Sequence, residues 1–212
     1  MKLLLAGASG LVGGHVLAQA DARGWESVLI GRRPLGTGHE EILTDFQSIP
    51  ELPHADVAIC ALGTTIARAG SRTAFYAVDH DAVLAFAEAA LSAEVRHFLI
   101  VTAVGANPRA AVFYSRVKGE TERDLEALGF PCLDIAQPGT LLGARAERRP
   151  VELVLKAIDP ITRRFMLGSL GRYAGIEAAT VATALLALGE DRTRTGVFRH
   201  TNRALSGVAG AR

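Results

Sequence analysis

The sequence is poor in cysteine, lysine and aromatic side chains, and neither sign of charge is in excess. Its two cysteines, Cys60 and Cys132, sit in apolar runs without metal-ligand spacing. That argues against a disulfide framework and a cysteine-based zinc site, and makes a reducing cytoplasm the expected location. With 23 Lys+Arg against 22 Asp+Glu the formal charge is +1, so no global field draws the chain to nucleic acid or an anionic membrane surface. No run of about 18 apolar residues is present, so no transmembrane helix is expected. Lys2, Leu3-Leu4-Leu5 and Ala6-Gly7-Ala8 imitate a secretory signal. The apolar stretch is shorter than the ~7–15 residues such a signal needs at its core, and these residues are read as structure.

What is present is a chain of 212 residues, 49% apolar and 21% charged, which fits one globular domain at roughly 150 residues per domain. Strand-like and helix-like segments alternate. Strands are expected over Lys2–Ala6, Ser27–Ile30, Glu41–Leu43, Asp56–Leu62, His97–Thr102 and Pro131–Ala136, and helices over Leu11–Ala22, Asp79–Ala93 and Val112–Leu128. Val12, Val16 and Ala20 mark the buried side of the first helix, and Val117, Thr121, Leu125 and Leu128 that of the third. Apolar strands separated by helices point to an α/β, doubly wound parallel sheet of Rossmann-like type, covered on both faces. Beyond Arg145 the pattern loosens: Val151–Ile158 and Ile176–Leu188 read as helical, Gly196–Thr201 as a last strand and Ser206–Arg212 as a fraying tail. The expected organisation is a single domain, 1–212, in which 145–212 contributes a small C-terminal, substrate-side lobe.

Gly7, Gly10 and Gly13 lie between the first strand and the first helix. A pyrophosphate explains that spacing, because a side chain at the turn would block the phosphates while the exposed amides of a helix N-terminus supply donors and a positive dipole end. An acidic residue that would hold the adenosine ribose of NAD is expected about 20 residues further on, at the end of the second strand. The sequence there is Ile30-Gly31-Arg32-Arg33. Two guanidiniums suit a 2′-phosphate and favour NADP(H) as cofactor; the alternative is a pair of solvated arginines, in a chain with 20 Arg and 3 Lys.

Tyr114 and Lys118 stand four residues apart at the start of the third helix and share a face. An ammonium beside a phenol favours its ionised form and prepares it to exchange a proton with a carbonyl or alcohol oxygen during hydride transfer. Thr102, at the end of the fifth strand, offers a hydroxyl to the same oxygen, or simply closes a strand. Asp79 reads as a helix N-cap and His97 as a strand-entry residue; neither gives a metal-ligand pattern, and no metal is expected.

On the glycine loop, Arg32-Arg33 and Tyr114 to Lys118, the chain resembles the atypical and extended branch of the short-chain dehydrogenase/reductase superfamily. Ala61-Leu62-Gly63-Thr64-Thr65, Tyr114-Ser115-Arg116-Val117-Lys118-Gly119-Glu120 and Pro138-Gly139-Thr140-Leu141-Leu142-Gly143 narrow this to the TIP30-like family of NAD(P)-binding oxidoreductase-like proteins and its bacterial relatives. The resemblance implies Gly7, Ser9, Gly10, Leu11 and Val12 around the pyrophosphate and Arg32 and Arg33 at the 2′-phosphate. It also implies Leu62, Gly63 and Thr64 along the cofactor, Tyr114 as acid/base, Lys118 on the nicotinamide ribose and Pro138 beside the nicotinamide. The chain departs from the family where Thr102 is followed by Ala103 in place of a second hydroxyl residue, and where Asp79 stands at a position often occupied by Asn.

These readings converge on an NADPH-dependent oxidoreductase of carbonyl-reductase type, with a small-molecule carbonyl substrate and no nucleic-acid or membrane partner. They leave a homodimer open. The competing reading is an NADP-binding regulatory or redox-sensing protein that engages a protein partner with little turnover. Nucleotide-sugar epimerase or dehydratase chemistry is disfavoured, because only about 70 residues follow the sixth strand and the substrate pocket must come from Pro138–Tyr173 and Ala103–Phe113. Arg148-Arg149 and Arg163-Arg164 would suit an anionic substrate or partner, or stand exposed in solvent.

Overall fold

The computed structural model describes residues 1–143 and 174–211. The helix expected over Val151–Ile158, the pairs Arg148-Arg149 and Arg163-Arg164, and most of the pocket segment ending at Tyr173 lie outside the described residues. Seven parallel strands form the central sheet in the order β3-β2-β1-β4-β5-β6-β9. They are β1 (Lys2–Ala6), β2 (Glu26–Gly31), β3 (Glu40–Leu43), β4 (Val57–Cys60), β5 (His97–Val101), β6 (Cys132–Gln137) and β9 (Gly196–Thr201). This is the expected Rossmann-like α/β architecture. Short strands β7 (Thr140–Leu142) and β8 (Gly175–Glu177) pair in parallel apart from it.

The apolar strands follow from burial on both faces. In β1, Leu3 and Leu5 face one layer with α1 (Leu11–Ala22) and α6 (Ala178–Glu190), while Leu4 and Ala6 face the other with α4 (Ala82–Ser92) and Leu125 of α5 (Phe113–Ala127). A strand buried on both sides has no polar alternation to show. On the first face α1 and α6 lie side by side, and Gln19 joins them by donating to Ala179 O at 3.1 Å and accepting from Thr183 Oγ1 at 2.9 Å.

Three expectations change. Ile176 is in β8, and the helix after it covers Ala178–Glu190. The expected fraying tail is instead part of α7 (Asn202–Gly210), because Leu205, Val208 and Ala209 fall on one helical side and pack onto the α1–α6 layer. The helix expected to begin at Asp79 is already helical at α3 (Arg72–Tyr76) and passes through a widened π turn, Ala77–Asp81, before α4. Asp79 is therefore inside that turn and fully buried, not at a helix N-cap. A short α2 (Ile66–Ala69), capped by Thr65, precedes it. Of residues 145–212, the described part completes the main sheet with β9 and one helical layer with α6 and α7.

Because Leu205 is fully buried, Leu205→Ala should destabilise the chain by about 2–5 kcal/mol in a urea titration. A change within about 0.5 kcal/mol, the range of surface substitutions, would show that α7 does not hold the α6 layer in place.

Candidate active site at the carboxyl edge of the sheet

β1 ends in a turn whose backbone is packed too closely for side chains. Gly7 has φ +88°, and a Cβ there would lie 2.6 Å from the Ala61 carbonyl carbon. A Cβ on Gly13 would lie 2.1 Å from Gly7 O, and one on Gly10 would lie 2.8 Å from the same oxygen. The glycines are thus required by the crossing of β1, α1 and the end of β4, independently of any ligand. Gly10 occupies the N-cap of α1 without a side-chain cap, and the first turn of the helix carries no acidic residue. Its amides and dipole end are open to an anion. Ser9 is exposed in this turn, Leu11 is half-buried, and the Val12 side chain belongs to the core, so Val12 can meet a ligand only through its backbone.

Arg32 and Arg33 follow β2 and are exposed, with no ion pair to either among the described residues. Beyond β4, Leu62 packs against the core and Gly63 is exposed. The Thr64 amide donates to Asp79 Oδ2 at 2.8 Å. The other oxygen of Asp79 faces Lys118 Nζ at 2.7 Å. A Cβ on Gly63 would sit 3.5 Å from Asp79 Oδ1 and 3.8 Å from Lys118 Nζ, so this loop passes directly over the ion pair. Lys118 is only 4% exposed. Burial works against its charge, but the Asp79 carboxylate and the Tyr114 phenol outweigh it and raise Lys118 above the ordinary lysine value.

The π turn brings Asp79 to Lys118, and α5 grips that turn at successive positions on one face. Thr121 Oγ1 lies 2.9 Å from both Asp79 O and Val117 O, which share its proton, and His80 Nε2 bonds Asp124 Oδ2 at 2.9 Å. Tyr114, one turn before Lys118, is 36% exposed, with its ring 5.7 Å from that of Phe75. Phe113 beside it has the guanidiniums of Arg72 and Arg116 at 5.2 and 5.7 Å from its ring centre. A Cβ on Gly119 would lie 2.2 Å from the Asn107 carbonyl carbon, so glycine is what lets the loop after β5 close onto α5.

Thr102 is placed differently from the sequence reading. Its hydroxyl donates to buried Glu122 Oε1 at 2.6 Å, with Ala136 O at 3.3 Å, which commits its proton to the packing between β5, β6 and α5 instead of a reacting oxygen. Glu122 also accepts from Gln137 Nε2 at 3.0 Å and pairs with Arg199 of β9. Pro138 follows β6. Its carbonyl accepts from Val104 N at 2.9 Å, and the next amide, Gly139 N, donates to Asn202 Oδ1 at 2.8 Å. Glu122 and Asn202 were missed in the sequence. Nothing local marks Glu122, whose partners lie on β5, β6 and β9, and Asn202 is separated from Gly139 by 63 residues.

No family model matches the chain. Among curated proteins it is 36% identical over 209 residues to Fmp52 of Eremothecium gossypii, covering 93% of each chain. It is 34% identical over 200 residues to HTATIP2 of Rattus norvegicus, covering 88% of this chain and 79% of that one. Among solved structures, MoeE5 in complex with UDP-glucose and NAD superposes with a TM-score of 0.70 at 18% identity, over 97% of this chain and 79% of the other. Human epimerase family protein SDR39U1 with NADPH gives 0.67 at 21% identity, over 95% and 74%. These structural likenesses establish the fold. The Fmp52 relatives, those of Eremothecium gossypii and Emericella nidulans among them, are named mitochondrial, which overturns the expectation of a cytoplasmic protein drawn from cysteine usage. Identity of this level along nearly the whole chain places it in the TIP30-like family of atypical short-chain dehydrogenase/reductases, to which HTATIP2 and Fmp52 belong.

Proposed function

We propose that the chain is an NADP(H)-dependent oxidoreductase that reduces a small carbonyl compound. The observation that carries this reading is the placement of Tyr114 one helical turn before a charged, buried Lys118, whose partner Asp79 also holds the loop that the glycine turn packs against. The residues fit the cofactor. Backbone of Gly7, Ser9, Gly10, Leu11 and Val12 surrounds a place for the pyrophosphate at the uncapped start of α1, and Arg32 and Arg33 stand exposed where an NAD-type carboxylate is absent. Leu62, Gly63 and Thr64 line the path between them and Lys118, and Pro138 borders the nicotinamide end. Bound there, the nicotinamide would supply the hydride to the carbonyl carbon.

The chain's own part is to hold and protonate. One of the three ammonium donors of Lys118 is taken by Asp79, leaving others for a ribose hydroxyl. Tyr114 gives its proton to the developing alkoxide, and the nearby ammonium stabilises the phenolate left behind. Thr102 receives no role, since its proton is held by Glu122. A second reading is a cofactor-loaded regulator with a protein partner and little turnover. It draws on the same fact: with Thr102 engaged and Ala103 following it, the strand offers no second hydroxyl to the reacting oxygen.

NADPH should bind more tightly than NADH by calorimetric titration, and replacing both Arg32 and Arg33 by Ala should remove most of that difference. A lost charge-assisted bond costs about 1.5–3 kcal/mol, roughly tenfold or more in Kd. Equal affinities in the unaltered protein would refute the 2′-phosphate assignment. With NADPH and a panel of aldehydes, ketones and quinones, Tyr114→Phe should keep cofactor affinity while turnover falls on the order of 10²–10⁴-fold. Unchanged turnover would eliminate Tyr114 as the acid, and no turnover of any carbonyl with NADPH tightly bound would favour the regulator. Asp79→Ala, which strands a buried ammonium, should cost about 3–5 kcal/mol of stability in urea. Asp79→Asn, which keeps an acceptor for the Thr64 amide, should cost less; equal and small losses would show that Lys118 does not depend on the carboxylate.

A further inference from the structure

Toward the amino edge of the sheet, opposite the candidate site, three side chains with metal-binding chemistry converge, and His200, from further along the sheet, reaches the same carboxylate. His97 opens β5 and Cys132 opens β6, and the register pairs them directly. Asp134 is two residues further along β6 on the same face. In β9 His200 lies opposite Ala136, one step past Asp134, so its ring reaches back diagonally. All four are buried, and Asp134 is 0% exposed. His97 Nε2 lies 2.6 Å from Asp134 Oδ2, His200 Nε2 lies 2.5 Å from Oδ1, and Cys132 Sγ lies 3.7 Å from Oδ2. The donor atoms of His97, Cys132 and Asp134 all fall within 4.8 Å of one another. Two of the six histidines and one of the two cysteines in the chain thus meet on a single aspartate. Sequence spacing hides this, because only the adjacency of β5, β6 and β9 brings positions 97, 132, 134 and 200 together.

We propose that His97, Cys132 and Asp134 supply three ligands of a tetrahedral site for zinc or a similar borderline-soft divalent ion, with the fourth position open to solvent and His200 holding the far carboxylate oxygen as an outer partner. One nitrogen, one sulfur and one oxygen match that preference, and a thiolate with a carboxylate neutralises a 2+ charge, which a buried site requires. Bonds of about 2.0–2.3 Å at tetrahedral angles put donor atoms roughly 3.3–3.7 Å apart. Cys132 and Asp134 already stand at that spacing, and the His97 imidazole needs to part from the carboxylate by less than about 1 Å. A cleft of about 170 Å³, lined by His97 and Cys132 together with Arg96, Gly189 and Arg194, opens onto the cluster from the amino edge. Arg194 is the competitor. Its guanidinium lies 3.2 Å from Asp134 Oδ1 and 4.0 Å over the Phe198 ring, and with 21% of its side chain exposed it has room to turn outward when an ion supplies the positive charge. The site joins β5 to β6, at the sheet edge opposite Tyr114 and the glycine turn.

Untagged protein, treated with chelator and dialysed, is titrated with Co²⁺ and Zn²⁺. One ion per chain is expected, with tetrahedral d–d bands, a thiolate-to-cobalt charge-transfer band and a rise in Tm with zinc. Cys132→Ser should lose the charge-transfer band. His97→Asn should weaken Zn²⁺ binding by roughly 100-fold or more and His200→Asn by the roughly 10–100-fold that follows loss of an outer partner, and Arg194→Ala should tighten it. NADPH affinity should stay unchanged throughout. Absence of stoichiometric uptake overturns the proposal, as does uptake without a thiolate band or uptake insensitive to the histidine changes. If Cys132→Ser fails to fold, the charge-transfer band of the unaltered protein alone decides whether Cys132 is a ligand.

Discussion

The candidate site rests on one constraint, that an ammonium buried in the protein needs a carboxylate delivered to it. Lys118 is fixed by α5, but Asp79 comes from another helical segment. The π turn at Ala77–Asp81 makes that delivery. It turns the Asp79 side chain toward Lys118 and the Thr64 amide, and its carbonyl toward Thr121. Each of these contacts replaces water that the buried groups have lost. The loop after β4, the turn before α4 and the face of α5 are therefore tied to one charge, and the position of Tyr114 one turn earlier follows from the same docking.

The glycine turn imposes a complementary constraint from the other side of the edge. Gly7 and Gly13 are in contact through backbone, and Gly7 touches the Ala61–Leu62 backbone at the end of β4. This crossing sets the distance between the start of α1 and the Gly63-Thr64 loop. The same loop is tied from below by Asp79. A ligand lying from α1 to Lys118 would thus meet two rigid backbone walls whose separation depends on packing, and no side chain has to move to form them.

The parallel sheet covered by helices and the glycine turn were legible in the sequence because local composition marks them: apolar runs for strands buried on both faces, periodic stripes for helices, glycines at the first crossing. Tyr114 and Lys118 were legible because they share one helix face. The rest depended on contacts across the chain. Asp79 carries a good N-cap residue type, and only the helical segment before it, beginning at Arg72, reveals it as interior. Thr102 was read from its strand position, but its partner Glu122 lies in another element, and a hydroxyl donates once. The tail Ser206–Arg212 was expected to fray, and what makes it helical is the α1–α6 layer that Leu205, Val208 and Ala209 cover.

The last strand shows why the sheet ends with β9. An edge strand added only by apolar contact could slip in register, and the burial pattern of β9, mostly exposed, specifies its register weakly. Asp134 supplies what is missing. Burial alone would raise its carboxyl, yet hydrogen bonds from His200 and His97, with Arg194 nearby, hold it well below the usual carboxylate range. A charge in that setting is tolerated only with its donors in place, and two of them, Arg194 and His200, bracket β9. Any slip of β9 would leave the carboxylate short of partners. Arg199, on the opposite face of the same strand, makes a second check by pairing with Glu122 and Glu126 of α5. Since Glu122 also holds Thr102 and Gln137, the register of β9 is connected through one buried acid to the β5 and β6 ends that border the candidate site.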